Sequence, residues 1–353
     1  MTSGTLTQTL ARAKWAFSTR RVDPGDAAGL STRFEDAGAG DLVLGRVMSI
    51  GSHRRIQLTS GRPSILYPED LVVLACGARY APDQFEGIAK LDADGADMLA
   101  GGGCLGQMRQ RNSEMKAPTR IEPVGLLTST DGTIINLADY ALAPCPGRSD
   151  IPVIGVVGAS MNAGKTTATA ALVYGLRQAG WRVAAIKATG TGAFGDYNAY
   201  ADAGAEYVGD FTDTGMVSTY LEPLSRIIPS MDRLVREGAE HGCDIAVVEL
   251  ADGVFQRETA AMLERLDVQE RFAGFVFACG DALAATGGVS VLRNLGIEPA
   301  VLTGKVSCSP MATGEAEAAT GIDIVTKACL SDPAVANSLV HSMASGARLR
   351  PAA

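Results

Sequence analysis

Histidine and clustered cysteine are scarce in this chain. Only three of the 353 residues are His, at positions 53, 241 and 341, and this spacing does not suit a histidine-built metal site. The seven Cys are odd in number, widely dispersed and include no C-x-x-C pair. We therefore expect free or buried thiols in a reducing compartment, and neither a disulfide framework nor a zinc site.

Positive charge and long apolar runs are also limited. The 31 Lys and Arg are outnumbered by 39 Asp and Glu, which gives a net charge of −8. This balance does not favour a phosphate backbone as partner, so we expect no nucleic acid. Because no apolar run is long enough to span a bilayer and no signal-peptide pattern begins the chain, we expect a soluble cytoplasmic protein with no membrane partner.

Turn-forming residues without periodicity occupy 144–150 and predict a linker. It divides a smaller domain over 1–143 from a larger one over 151–340, and 341–353 is expected to be a flexible tail. In the first domain a short helix is predicted from Leu6 to Phe17. Closely spaced β runs then predict a barrel or sandwich, at 42–50, 54–59, 63–67 and 71–76.

Three stretches of this β-rich domain leave more than one interpretation open. The polar loop 77–86 follows an apolar strand and is either a ligand-contacting loop or an ordered surface turn. The glycines at 101–103 precede a predicted helix over 104–115; a second anion site is possible there, but a flexible turn is favoured. A basic edge is predicted from Arg46, His53, Arg54, Arg55 and Arg62. Its charge suits an oligonucleotide, but solvated charges that protect an edge strand are the favoured interpretation.

The larger domain opens with a β-branched, apolar run at 151–157 that leads into a phosphate loop. The spacing A-x-x-x-x-G-K-T starts at Ala159, with Ala at the position usually held by Gly. Such a loop needs backbone N–H groups around the phosphates, a Lys for their charge and a hydroxyl for Mg²⁺. The predicted cofactor-binding residues are Ser160, Met161, Asn162, Ala163, Gly164, Lys165, Thr166 and Thr167.

Strand and helix patterns alternate after the loop, beginning with a helix over 167–180. This order predicts the α/β class, a mostly parallel P-loop sheet with helices on both faces. Further strands are predicted at 181–187, 244–249, 272–278, 298–302 and 323–325, and helices at 224–241, 258–266, 282–295 and 312–320. Ligands bind such sheets beyond the carboxyl ends of the strands, so the residues that follow each strand are the candidates for chemistry.

Two strand ends carry side chains that can bind a phosphate or a metal ion. Lys187, followed by Thr189, lies where it can bind an anionic substrate or stabilise transferred charge; with Lys165 these are the predicted catalytic residues. Glu249 ends an apolar strand, the usual place for a carboxylate linked to Mg²⁺, with Asp252 as the reserve. The predicted metal site is Thr166 and Glu249, completed by Asp202 and Asp210 from a group of four carboxylates that also includes Asp196 and Asp213.

The three segments 158–167, 184–190 and 247–255 resemble, in this order, the phosphate loop, the K-P-x-x-S/T-G element and the V-E-G-A-G-G element of dethiobiotin synthetase. The chain also resembles a P-loop family that includes D-glutamate N-acetyltransferase, through the runs at 188–192 and 209–211. The resemblance covers about residues 151–330 and leaves the first domain outside. Ala188, Leu250 and Asp252 depart from the synthetase pattern, so the substrate pocket is expected to differ.

The resemblance implies ATP and Mg²⁺ as cofactors, with Lys187 on the reacting phosphate or substrate carboxylate and Glu249 on the metal. It suggests an ATP-dependent ligase that phosphorylates a small-molecule carboxylate for attack by an amine, and a homodimer. Two alternatives stay open: a nucleotide-dependent switch or chaperone ATPase or GTPase, and an acyl-group transferase that uses the P-loop fold for another phosphate-bearing cofactor.

Overall fold

The computed structural model describes residues 3–144 and 149–344, and the chain forms two units. Unit 1 comprises Met1–Ala143, Gly190–Phe194 and Phe211–Glu222, and unit 2 comprises Pro144–Thr189, Gly195–Asp210 and Pro223–Ala353. Residues 145–148 of the predicted linker and 345–353 of the predicted tail lie outside the described residues.

The sequence predicts a continuous second domain over 151–340, but two segments of that range belong to unit 1. Both are held there by hydrogen bonds. The backbone N–H of Gly192 donates to the carbonyl of Val217 over 2.9 Å, and that of Phe194 donates to the side chain of Gln57 over 2.7 Å. Loops of this kind carry no periodic pattern, so their placement is set by tertiary partners.

Unit 1 is built mainly of strands. Its helix and strands are α1 (Ser3–Arg12), β1 (Lys14–Trp15), β2 (Gly29–Ser31), β3 (Leu42–Ser49), β4 (Arg55–Gln57), β5 (Pro63–Ile65), β6 (Leu71–Cys76), β7 (Arg79–Tyr80), β8 (Phe85–Ile88), β9 (Ala96–Met98), β10 (Cys104–Arg111) and β11 (Thr119–Thr128). Short 3-10 helices lie at Phe17–Thr19, Pro24–Asp26, Phe34–Asp36, Leu137–Tyr140 and Phe211–Thr214. A β-rich first unit agrees with the prediction.

Five strands of unit 1 form a closed ring of pairings. The order β6-β3-β11-β9-β10 returns to β6, and the closing β10–β6 pair is parallel. Side chains alternate between the two faces of a strand, and β11 shows this as alternately buried and half-buried residues from Thr119 to Val124. Apolar side chains from the ring fill the core, among them Val43, Leu74, Met98, Leu105 and Ile121.

The helix predicted over 104–115 is wrong, because Cys104–Arg111 forms strand β10. This strand pairs with β6, β8 and β9. At Gly106 the neighbouring backbone is so close that a Cβ would lie 2.3 Å from the carbonyl oxygen of Ile88. Pairing with distant strands therefore overrides the local preference. The first helix is also displaced from the predicted 6–17 to Ser3–Arg12.

The unusual stretches of the first domain have structural partners within unit 1. In the loop 77–86, Arg79 is buried and donates to the carbonyl of Leu99, while Glu86 accepts from the hydroxyl of Tyr220 over 2.9 Å. A Cβ on Gly102 would lie 1.9 Å from the carbonyl oxygen of Gly192, so this glycine is required by a close backbone approach. Arg46, on the basic edge, lies 3.4 Å from Glu122.

Unit 2 alternates strands and helices. Its elements are β12 (Val153–Gly158), α2 (Lys165–Gln178), β13 (Val183–Lys187), α3 (Phe194–Asp202), β14 (Tyr207–Asp210), α4 (Leu224–Glu240), β15 (Ile245–Glu249), α5 (Arg257–Leu263), α6 (Leu266–Gln269), β16 (Gly274–Ala278), α7 (Ala282–Asn294), β17 (Val301–Thr303), α8 (Pro310–Thr320), α9 (Lys327–Ser331) and α10 (Pro333–Ala344), with a 3-10 helix at Lys305–Cys308.

The six strands of unit 2 form a parallel sheet in the order β14-β13-β15-β12-β16-β17. Successive residues of β13 show that helices cover both faces. Ala185 lies in the same apolar cluster as Leu172 of α2, whereas the neighbouring Ala184 lies against Gly238 of α4. The predicted α/β class is thus confirmed. The predicted strand at 323–325 is only an isolated bridge from Ile324 to Leu302.

Several elements of unit 2 carry too weak a pattern to be predicted. They are α3, β14, α6, α9 and α10, most of them shorter than ten residues. The apolar face of α10 packs into the core through Leu339 and Val340. Among residues 3–144 and 149–344, no helix combines the length and the apolar character that crossing a membrane requires.

The half-buried His53 of unit 1 makes stability depend on pH. Burial lowers the pKa of its imidazole from 6.5 to about 4, and the charge of Arg79 acts in the same direction. The folded chain then binds fewer protons than the unfolded chain between these values. We therefore predict that the free energy of unfolding of unit 1 falls as the pH drops through 6.5 towards 4, by about 3 kcal/mol in total.

Urea unfolding of the protein at several pH values measures this effect. His53→Gln removes the titrating ring but keeps a donor for the carbonyl of Met98, which lies 3.0 Å from Nδ1. The pH dependence between 6.5 and 4 should be weaker in this variant. His241→Gln, at an exposed position, is the matched control and should unfold with the wild-type pH dependence. Equal pH dependence in all three proteins would contradict the prediction.

Candidate functional site

The loop between β12 and α2 bends tightly through two left-handed residues. Asn162 has φ 61° and Gly164 has φ 114°, and Gly164 is the residue before the first turn of α2. A Cβ at Gly164 would lie 2.9 Å from the Cα of Gly304. The first N–H groups of a helix have no partner within it, so this bend followed by α2 forms an anion-binding backbone.

Lys165 folds back over the loop from the first position of α2. Its side chain is buried, and Nζ donates to the carbonyl of Ser160 over 2.9 Å and to the carbonyl of Asp252. Burial lowers the pKa of Lys165, although the carboxylates of Glu249 and Asp252 oppose the shift. A buried ammonium beside the backbone N–H groups of the loop is suited to bind the negative charge of a phosphate group.

Two carboxylates meet at the hydroxyl of Thr166. Its Oγ1 donates to Asp196 Oδ1 over 2.9 Å and lies 3.4 Å from Glu249 Oε1. A hydroxyl has one hydrogen to donate, so the shorter contact holds it. The other oxygen of each carboxylate has its own donor, since Lys187 Nζ donates to Asp196 Oδ2 and the Tyr200 hydroxyl donates to Glu249 Oε2.

Burial and ion pairing shift the pKa values of Lys187, Asp196 and Glu249. Burial opposes the charged form of Lys187, but the attraction of Asp196 and Glu249 outweighs it and raises the pKa. The pKa of Asp196 is lowered, because Lys187 and the hydroxyl of Thr166 stabilise the carboxylate against its burial. Burial, followed by repulsion from Asp196, raises the pKa of Glu249. Lys187 and Asp196 thus form a charged pair beside a second carboxylate.

These side chains line one cavity of about 650 Å³ at the carboxyl ends of the strands. Lys165, Lys187, Asp196, Glu249 and Asp252 lie along one part of it. The wall also includes residues of the phosphate loop, residues at and after the end of β17, and residues at the start of α9, the last two groups being 303–305, 307–308 and 326–328. The cavity is of the size that small-molecule and cofactor sites have.

The structure brings most of the predicted site residues to this cavity. Those that line it are Met161, Asn162, Gly164, Lys165, Thr166, Thr167, Lys187 and Glu249. Ser160 and Ala163 contribute backbone carbonyls, which accept from Lys165 Nζ and from the N–H of Lys305. The predicted loop therefore acts through its backbone as well as its side chains.

Three predicted residues lie elsewhere. Thr189 is fully buried and donates to the carbonyl of Ala251 over 2.6 Å. Asp202 is exposed at the end of α3, about 9 Å along the helix from Asp196, and it is Asp196 that reaches Thr166. Asp210 is buried at the end of β14, beside Lys187 in the sheet register. Of the remaining candidates, Asp252 lines the cavity and Asp213 pairs with Arg20 in unit 1 over 2.6 Å.

Sequence reasoning missed Tyr200, Lys305 and Lys327. Asp196 and Tyr200 are four residues apart on α3, a spacing that places both on one helix face, and this signal was available in the sequence. Lys305 follows β17, a strand of only three residues, and Lys327 follows an irregular stretch. Both line the cavity. No local pattern indicates their convergence.

Within residues 3–144 and 149–344, no group of three or more His, Cys, Asp or Glu side chains is placed to hold a metal ion. Mg²⁺ does not need such a group, because it is commonly bound by one or two carboxylates together with water and substrate phosphates. Thr166 offers one hydroxyl, and Glu249 and Asp196 each place a carboxylate oxygen within hydrogen-bond distance of it. This donor set fits Mg²⁺ held jointly with a phosphate.

The chain matches no protein-family model and no curated protein. Among solved structures it is similar to the signal recognition particle 54 kDa protein from Aeropyrum pernix K1 in complex with GDP, at a TM-score of 0.36 and 17% identity. The match covers 57% of this chain and 50% of that chain. The α/β class of unit 2 rests on its own parallel sheet and helices, while the P-loop assignment and the resemblance to dethiobiotin synthetase stay predictions.

The geometry of Gly164 predicts a large loss of stability on substitution. Gly164→Ala places a Cβ against backbone at a positive φ, whereas Gly180, with φ 95°, has no atom within 4 Å of its would-be Cβ. We expect Gly180→Ala to lower the free energy of unfolding by about 1 kcal/mol and Gly164→Ala by at least about 2 kcal/mol. Denaturant unfolding of both variants measures this. Equal losses would show that the loop does not approach Gly304 closely.

Proposed function

We propose that unit 2 binds ATP with Mg²⁺ in the cavity at the start of α2. The observation that carries this proposal is the convergence of Lys165, Thr166, Lys187 and Glu249, from three separate elements, on one cavity behind an anion-binding loop. The loop backbone and Lys165 would hold the phosphates, and Thr166 with Glu249 and Asp196 would hold the metal. Bound Mg²⁺ would neutralise phosphate charge during transfer.

The distribution of charge along the cavity supports ATP over GTP. Guanine presents N–H donors at N1 and at its 2-amino group, which a carboxylate satisfies best. The acidic side chains that line the cavity are Asp196, Glu249 and Asp252, and each lies near Lys165 or Lys187. The rest of the lining includes Lys305, Ser307, Thr326 and Lys327, which can donate to the ring nitrogens of adenine but offer no carboxylate to the guanine N–H groups.

We further propose that the enzyme is an ATP-dependent ligase for a small-molecule carboxylate and an amine. ATP supplies the phosphoryl group that converts the carboxylate into a mixed anhydride, and the amine then displaces phosphate. Asp196 and Glu249 keep Lys187 charged, so it is a fixed cation beside the phosphate site. It would orient the substrate carboxylate and stabilise transferred charge, while burial of the site limits competing water.

Two lysine variants separate binding from chemistry. Lys165→Ala removes the ammonium over the loop, and we expect ATP affinity to fall by roughly 100-fold. Lys187→Ala should keep nucleotide affinity within a few-fold but abolish product formation. Isothermal titration with ATP and product assays measure the two effects. Lys116→Ala, an exposed lysine in unit 1, is the control and should match the wild type in both.

The reaction class is tested by screening carboxylates with amines for stimulated ADP release. Product formed in a one-to-one ratio with ADP supports a ligase. Unchanged product formation without ATP would exclude a ligase and favour the acyl-group transferase, and ADP release without any product would favour a nucleotide-dependent switch. Wild-type turnover by Lys187→Ala would overturn the role of that lysine.

The two aspartates of α3 provide a matched pair for the metal site. Asp196→Asn removes a charge that lies between Thr166 and Lys187, and we expect the Mg²⁺ concentration for half-maximal ATP binding to rise at least about tenfold. Asp202→Asn, at the exposed end of the same helix, should leave it unchanged. Fluorescent-nucleotide titrations at varied Mg²⁺ measure both. A larger effect from Asp202→Asn would favour Asp202 over Asp196 as the metal ligand, as the sequence predicts.

A further inference from the structure

Tyr200 is among the largest fully buried side chains of unit 2, and it lies outside the residues that line the cavity. Its ring packs in the apolar cluster formed with α2 and the sheet, which includes Leu172 and Val247. Its hydroxyl nevertheless reaches the site and donates to Glu249 Oε2. A tyrosine hydroxyl in such a core needs a partner, because a buried hydroxyl without a hydrogen bond is costly.

This hydrogen bond makes the two oxygens of Glu249 unequal. Oε2 is engaged by Tyr200, on the core side, and Oε1 lies 3.4 Å from the hydroxyl of Thr166. Glu249 is 2% exposed, so little water competes with Tyr200 to orient its carboxylate. Rotation of the carboxylate about its terminal bond would exchange the oxygens, and donation by Tyr200 opposes that rotation. Torsions of this terminal type are otherwise broad and weakly restrained.

Asp196 is held in a similar way on the same helix. Its Oδ2 accepts from Lys187 and its Oδ1 accepts from Thr166, so each carboxylate has one oxygen bound to a second donor and the other directed to Thr166. Because Asp196 and Tyr200 lie on one face of α3, a single helix provides a carboxylate and the donor for the second carboxylate.

We propose that Tyr200 is a positioning residue, which holds Glu249 with one oxygen towards Thr166 and Mg²⁺. The proposal rests on the proposed function, because it requires a magnesium–nucleotide complex at Thr166. Tyr200 touches neither the nucleotide nor the metal and acts only through Glu249. Partners that orient a metal-bound carboxylate in this way typically contribute 10- to 100-fold in metal affinity or activity, by the order of magnitude known for other metal sites.

Tyr200→Phe tests the proposal, since it keeps the packed ring and removes only the donor. We expect ATP affinity in the presence of EDTA to stay within about twofold of the wild type. The Mg²⁺ concentration for half-maximal enhancement of ATP binding should rise about tenfold. Titration of the full-length protein with a fluorescent ATP analogue, at fixed nucleotide and varied Mg²⁺, measures both quantities without turnover.

Tyr174→Phe is the matched control. This tyrosine lies on α2 of the same unit and is 43% exposed, so loss of its hydroxyl should leave the Mg²⁺ dependence unchanged. In the background of Glu249→Gln, Tyr200→Phe should have no further effect on the Mg²⁺ dependence, because the tyrosine acts through that carboxylate. A purely structural tyrosine would lower the free energy of unfolding and leave the Mg²⁺ dependence unchanged.

The outcomes separate this proposal from the nucleotide site itself. A wild type that shows no Mg²⁺-dependent ATP binding overturns both. A wild type that binds, with Tyr200→Phe titrating like it, overturns the role of Tyr200 and leaves the nucleotide site intact. If Tyr200→Phe does not fold, a crystal structure of the wild type with MgADP decides: the bond from Tyr200 to Glu249 Oε2 should persist, and its loss would overturn the proposal.

Discussion

The site depends on one interaction, the pairing of Lys187 with Asp196 at the carboxyl edge of the parallel sheet. Lys187 is 8% exposed, and an ammonium at that depth is stable only with an opposite charge beside it. Asp196 supplies that charge from α3 and also accepts from Thr166, which fixes the helix against the loop. Removal of either partner would leave the other as a buried charge without its opposite, which is costly.

The surrounding fold provides the rigidity that this charge group needs. Strands β12, β13 and β15 are buried along their whole length, and their carboxyl ends carry the phosphate loop, Lys187 and Glu249.

The main features of unit 2 could be predicted because they depend on local patterns. The apolar run before the loop, the G-K-T spacing and the acidic residue after a buried strand indicated Lys165, Thr166 and Glu249, and all three line the cavity. The errors have a common origin. Residues 104–111 form a strand because they pair with other strands, among them β6, and the hydroxyl of Thr189 donates to the carbonyl of Ala251 and not to a ligand. Neither β6 nor Ala251 is near its partner in sequence.

The sequence by itself determined the phosphate loop, the alternating α/β order and the lysine at the end of β13, because strand periodicity and loop spacing act over a few residues. The tertiary structure alone decided which aspartate joins Glu249 at that loop. Asp196 and Asp202 lie on one short helix, and only the packing of α3 directs Asp196 inward and leaves Asp202 exposed. The same packing buries the ring of Tyr200 and brings its hydroxyl to Glu249, since a buried donor must find an acceptor wherever the fold provides one.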